Sequence, residues 1–231
     1  MAEPVLSRER PSDRTILVWD IPTRVFHWVL VVLVIVSVVT GNVGGLKTMR
    51  IHMLSGYAIL ALILFRAIWG FIGNAHARFS SFVIGVPSVV RYARDLVTGA
   101  ARKFVGHNPL GGWSVLVMLV LLIVQAATGL CANDDIFTEG PLARRVGKRA
   151  SDFLTGIHKT NVNLLYAVIA VHVVAVIGYL YKGDNLIRPM ITGVKRIAAE
   201  HTPADGATPY ATRAVIALAV SVALVAAVVN M

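Results

Sequence analysis

Cysteine is almost missing from this chain: Cys131 is the only one in 231 residues. That excludes an intrachain disulfide and any covalent cofactor attachment through Cys-x-x-Cys-His. A buried structural thiol is the expected role of Cys131. Charge is scarce too. Asp, Glu, Lys and Arg make up 15% of the residues, where soluble domains carry about 25%, so an ordinary soluble domain is excluded. No short apolar segment with a small-residue cleavage site precedes the first long apolar run. The first run is therefore expected to stay as a permanent anchor. No internal repeat and no low-complexity tract is evident.

What the chain has in abundance is apolar length. Hydrophobic residues make up 56% and the mean hydropathy is +0.71. Uncharged runs cover Val25–Leu46, Leu110–Ala132, Asn161–Tyr181 and Ala214–Met231, and Ile51–Ile72 is broken only by Arg66. Each is about the 17–25 residues that a helix needs to cross the hydrocarbon core. The expectation is an all-α membrane protein with five spans. Residues 1–18 read as a polar tail. Residues 19–200 read as a membrane domain with spans near 24–45, 52–73, 112–132 and 157–181, and residues 201–231 as a linker and fifth span.

The formal charge of +10 is a matter of sidedness. Fourteen basic residues fall on one side of the spans, including Arg8, Arg10, Arg14, Arg91 and Lys103, and seven on the other. By the positive-inside rule the N-terminus is cytoplasmic and, after five spans, the C-terminus periplasmic, in a bacterial inner membrane. The basic excess then serves topology and anionic lipid, and nucleic acid is not a partner.

The connections differ in character. Asn42–Lys47 reads as a short outer hairpin. In the long inner connection Val89, Val90, Ala93, Leu96 and Val97 share one helical face and Arg91, Arg94 and Asp95 the other, as in a helix lying on the membrane surface. The outer loop Asn133–Gly156 mixes Asp134, Asp135 and Glu139 with Arg144, Arg145, Lys148 and Arg149. It reads as a solvated loop or as a docking surface for a redox partner. Residues Thr202–Ala211 read as a flexible link.

Four histidines stand inside or at the ends of spans: His27, His52, His158 and His172. From His158 to His172 a helix turns through about 1400°, close to four full turns, and rises about 21 Å. Both imidazoles therefore share one face at two depths. Chain direction places His52 and His158 toward the outside, and His27 and His172 toward the inside. Imidazole is a haem-iron ligand, and two depth-matched pairs could each hold a haem between helices, of b type because no covalent attachment is available. Interfacial histidines are the rival reading. Gly41, Gly56 and Gly129 would admit a flat macrocycle. Arg24 and Arg66, near the inner ends, either reach lipid phosphate or pair with haem propionates. His76, His107 and His201 read as loop residues.

The run Trp19-Asp20-Ile21-Pro22-Thr23-Arg24-Val25-Phe26-His27-Trp28 resembles the opening of bacterial cytochrome b561-type proteins, in the branch of the b-type cytochrome subunits of nickel-iron hydrogenases. So do Gly106-His107-Asn108-Pro109-Leu110-Gly111-Gly112, the stretch from His158 through Asn163-Leu164-Leu165-Tyr166 to His172, and Asn185-Leu186-Ile187-Arg188-Pro189-Met190-Ile191-Thr192-Gly193. The resemblance covers roughly residues 19–196. It implies a four-helix core binding two haems b, with iron ligands at His27, His52, His158 and His172. It also implies electron exchange between membrane quinone and a periplasmic redox protein such as a hydrogenase or a c-type cytochrome. The fifth span lies beyond that core and reads as lipid-facing or subunit-packing, which leaves room for a homo-oligomer.

A quinone needs a polar, proton-exchanging group near one end of the bundle. Candidates are His107 and Asn108 inside, or Lys159 and Asn161 outside. Two other functions compete: a stand-alone quinol oxidase passing electrons to superoxide or another small acceptor, and a metal-ion carrier using the intramembrane histidines.

Overall fold

The computed structural model describes residues 14–102, 104–197 and 210–231. Arg8, Arg10, Lys103, His201 and residues 202–209 of the link lie outside the described residues. The elements in order are β1 (Arg14–Leu17), α1 (Ile21–Val43), α2 (Leu46–Ile72), α3 (Phe79–Phe82), α4 (Val86–Thr98), α5 (Pro109–Leu130), α6 (Ala143–Val146), α7 (Lys148–Tyr181), α8 (Ile187–Thr192), β2 (Val194–Ile197) and α9 (Tyr210–Val229). Helices α1, α2, α5, α7 and α9 are long and apolar enough to span a membrane, and the chain is a membrane-embedded helical protein.

The ends of these helices follow from local chemistry. Asp20 caps α1: its Oδ1 accepts the Thr23 N–H at 2.8 Å, and Pro22 sits in the first turn. Gly44 and Gly45, at φ 69° and 86°, turn the chain into α2. Asn108 caps α5, accepting Gly111 N–H at 2.8 Å just before Pro109.

Helix α7 begins earlier than the hydropathy suggests. Residues 148–156, expected as loop, are helical. Lys148 and Asp152 pair across one turn, and Ser151, buried at its foot, donates to Cys131 O at 2.6 Å. At 34 residues α7 is about 51 Å long, so its polar first turns extend beyond a hydrocarbon core of about 30 Å. Hydropathy marks only the part that lipid covers.

Helices α1 and α2 form one hairpin and α5 and α7 a second, and α2 joins them by packing on α5. Phe26, Ile63, Phe65, Trp69, Leu122 and Leu165 lie in the core. The fifth span packs within its own chain. Ala217, Ser221 and Val225, four residues apart, seat α9 on α2, while Val215, Ile216, Val222 and Leu224 face outward. Helix α4 forms as expected, but Tyr92, buried, is the side chain it turns inward, and Val86, Val90 and Val97 are exposed.

The described end of the polar N-terminal segment, residues 14–18, is held by backbone pairing. Strand β1 pairs antiparallel with β2, Arg14 opposite Ile197 and Leu17 opposite Val194. Val18 and Trp19 both donate to Gly193 O, and Trp28 Nε1 reaches Met190 O at 3.2 Å. Gly193 holds φ 85°, and a Cβ there would stand 2.9 Å from Trp19 O. Asp20 Oδ2 accepts from Trp69 Nε1 at 3.1 Å, with Trp69 fully buried. One carboxylate thus caps α1 and fastens it to α2.

Replacing that carboxylate is expected to be costly. Asp20→Ala removes a cap worth about 1 kcal/mol and orphans a buried indole N–H at a further 1–3 kcal/mol or so. Thermal unfolding in detergent should show a clear drop in midpoint, and Asp20→Asn, which keeps one of the two acceptors, a smaller one.

Candidate functional site

The outer histidines meet. His52 on α2 and His158 on α7 have ring centres 6.1 Å apart with planes at 89°. Each ring is fixed the same way. His52 Nδ1 lies 2.9 Å from Ser37 O on α1, and His158 Nδ1 lies 2.9 Å from Gln125 O on α5. A carbonyl can only accept, so Nδ1 carries the proton in both rings and Nε2 keeps its lone pair.

The carbonyls are reachable because of glycine. Side chains on a helix lean toward its N-terminus, so the residue at i+4 covers the carbonyl of residue i. At those positions stand Gly41 and Gly129. A Cβ on Gly41 would sit 3.0 Å from the His52 ring, and one on Gly129 would sit 2.9 Å from that of His158. These glycines seat the imidazoles. Gly56 has nothing within 4 Å of a Cβ.

The two seats repeat one another in detail. Thr40 donates to Val36 O at 2.6 Å, and Thr128 to Val124 O at 2.6 Å. Three residues after each histidine a side chain reaches back: Ser55 Oγ to Ser37 Oγ at 2.5 Å, and Asn161 Nδ2 to Gln125 Oε1 at 2.7 Å. Val-x-x-x-Thr-Gly on the first helix of each hairpin therefore answers Ile-His-x-x-(Ser/Asn) on the second. Sequence inspection finds no repeat because the match is short and the intervening lengths differ. The recurring Thr-Gly and Ile-His pairs are the signal that was there to find.

The inner histidines lie at the other end. His172 acts electrostatically on His27, and His27 Nδ1 is buried without a partner among the described residues. Around them sit Arg66, His76 and His107. Arg66 is buried, stands 4.9 Å from the Phe79 ring centre, and leaves one Nη1 unpartnered. His107 packs between Trp19 and Phe82, at 4.7 and 4.5 Å between ring centres. Burial, with Arg66, His76 and His172 nearby, pushes its pKa down to about 3. Burial lowers His76 as well.

The remaining candidates are more occupied. Arg24 Nη1 donates to Ile191 O at 2.6 Å and so caps α8, although its Nε is unpartnered. Asn108 donates to Tyr179 Oη at 2.9 Å, and Tyr179 meets Tyr92 at 3.0 Å. Neither tyrosine was singled out by sequence. Asn161 is buried, its amide shared between Leu121 O and Gln125. Lys159 is exposed at the outer end.

These residues fit haem. His52 and His158, with ring centres 6.1 Å apart on two facing helices, would hold one such group, since imidazole is a haem-iron ligand. The donors come as pairs of imidazoles, and among the described residues no group of three or more His, Cys, Asp or Glu is placed to hold a metal ion. When bound, haem supplies one-electron redox chemistry.

Comparisons with known proteins agree. Residues 18–193 match the family model described as prokaryotic cytochrome b561. A probable Ni/Fe-hydrogenase B-type cytochrome subunit of Azotobacter chroococcum mcd 1 is 28% identical over 58% of this chain and 66% of its own length. Its counterpart in Rhizobium leguminosarum bv. viciae is 26% identical, over 57% and 64%. The probable Ni/Fe-hydrogenase 1 B-type cytochrome subunit of Escherichia coli (strain K12) is 24% identical, over 52% and 62%. The chain thus spans just under two thirds of the length of these relatives. No solved structure matches.

His107 gives a pH test. Its folded pKa, about 3, lies below the ordinary 6.5, so unfolding takes up a proton between those values. The stability it confers is complete above about pH 6.5 and is lost as pH falls toward 3. Unfolding midpoints followed from pH 7 to 4 should fall less steeply in His107→Phe than in the unaltered protein.

Proposed function

Because the chain belongs to the prokaryotic cytochrome b561 family, we propose that it moves electrons across a bacterial inner membrane between quinone and a periplasmic redox partner, on two haems b. The observation that carries this reading is the closeness of the His52 and His158 rings, both with Nδ1 tied to a helix carbonyl. His52 and His158 would hold the outer haem, and His27 and His172 the inner one. Arg66, buried with a free Nη1, would meet a propionate of the inner haem. Arg24 serves α8 first and has only its Nε left for such a role.

Quinone fits the inner end better than the outer. Asn161 is consumed by its neighbours and holds two helices together, whereas His107 senses His172 and Asn108 bonds Tyr179, which meets the buried Tyr92. A neutral His107 can receive a hydrogen bond or a transient proton but does not store one at neutral pH. The N-terminus would be cytoplasmic and the C-terminus periplasmic, by the distribution of basic residues.

The partner would dock outside, over the segment from Asn133 to α7. Asp134 there accepts N–H bonds from Ile136, Phe137 and Thr138, which hold its carboxyl down at about 2. Arg144 pairs with Glu139 and Lys148 with Asp135 and Asp152, whereas Arg145 and Arg149 are exposed and make no ion pair among the described residues. Ile136 and Phe137 are exposed beside them. The relatives' names attach them to Ni/Fe hydrogenases, so a hydrogenase or another periplasmic oxidoreductase is the partner to seek.

The purified protein should contain two acid-acetone-extractable haems per chain. His52→Ala and His158→Ala should each lose the same spectral component, and the double variant no more. His27→Ala and His172→Ala should lose the other. A folded protein without haem would overturn the reading, and pairing of His27 with His158 would overturn the assignment of depth.

Replacing Arg144, Arg145, Lys148 and Arg149 with Ser should slow electron exchange with the native partner at low salt, with haem spectra unchanged. The difference should shrink as salt rises, because exposed charges act on encounter and are screened beyond about 8 Å at physiological ionic strength. Most of the effect should be reproduced by Arg145 and Arg149 alone.

A further inference from the structure

The two imidazole seats match except in one pair of side chains. Beside His52 stand two serines, Ser37 and Ser55, bonded to each other. Beside His158 stand two amides, Gln125 and Asn161. Their orientation is decided by bonding. Leu121 O can only accept, so the Asn161 atom 2.9 Å from it is its Nδ2. That same NH2 group faces Gln125, which must present Oε1 and so turns its own NH2 toward His158.

Gln125 Nε2 lies 3.2 Å from both ring nitrogens of His158. A donor aligned on the Nε2 lone pair would be about 5 Å from Nδ1 at ordinary hydrogen-bond lengths. The equal distances place the amide over the face of the ring, as an N–H donor to the π system. Nε2 keeps its lone pair, while the positive end of an amide dipole rests against the imidazole. His52 has only hydroxyls in the corresponding place.

We infer that Gln125, oriented by Asn161, is a positioning residue for the outer haem: it fixes the plane of His158 and draws electron density from that ring, making His158 the weaker donor of the pair. A weaker donor stabilises the ferric state less, so the amide raises the midpoint potential of this haem. Hydroxyls at both seats would leave it lower. This rests on the reading that His52 and His158 hold a haem.

The test compares Gln125→Leu, the symmetrised Q125S/N161S and His158→Ala in the purified full-length protein, by redox titration and by electron paramagnetic resonance of the oxidised haems. The expected result is a lowered midpoint for the component that His158→Ala removes, in both Gln125 variants. Its low-spin g values should shift, and the other haem should stay unchanged. A merely structural residue would lower thermal stability and leave both readouts in place. If Gln125→Leu loses the haem, the symmetrised variant, which copies the His52 seat, decides. Unchanged potential and g values, or loss of the haem from both variants, would overturn the proposal. Retention of both haems in His158→Ala would overturn the haem assignment itself.

Discussion

The arrangement depends on one hydrogen bond made twice: an imidazole Nδ1–H to a backbone carbonyl of a neighbouring membrane helix. In hydrocarbon a helix carbonyl has no water to bond and is already paired within its own ladder. Its second lone pair is open to a ring from another helix where the residue four places on has no side chain to stand in the way. Gly41 and Gly129 meet that requirement for Ser37 O and Gln125 O. The bond selects the tautomer, aims Nε2, and ties α2 to α1 and α7 to α5. Packing and ligand geometry are thus set by the same contact.

The opposite end is organised by charge and capping. Asp20 caps α1 and holds Trp69, and its carboxylate acts electrostatically on Arg66. Lys195 pairs with Asp184 at 2.9 Å, both side chains largely buried, and donates to Phe104 O at 3.0 Å. The motifs at the two ends of the family-matched region close on one another through β1, β2 and Gly193. This gathers His27, His172, Arg66, His76 and His107 under a cover of aromatic rings, where a buried cationic imidazole would be expensive and His107 is accordingly neutral. The end carrying His52 and His158 leads to a charged segment with exposed residues, and the end carrying His27 and His172 to a cover of aromatic rings.

The five spans, the shared helix of His158 and His172 and the amphipathic helix α4 were legible in the sequence because each is a one-dimensional property. Apolar length, a fourteen-residue spacing and an amphipathic period all survive without knowing what packs against them. The start of α7 was not legible, because its first turns are polar and are held by Ser151, Lys148 and Asp152 rather than by apolar burial.

Sequence by itself therefore determined the class of protein, the number of spans, and which histidines could act together, since bilayer thickness and helix pitch leave little freedom. Tertiary structure alone decided the rest. It made Gly41 and Gly129 imidazole seats rather than spaces for a macrocycle. It committed Asn161 to Gln125 and Leu121, and it buried α9 against α2. Each of those outcomes depends on which helix faces which, and a carbonyl, a glycine and a ring meet only once two helices are laid side by side.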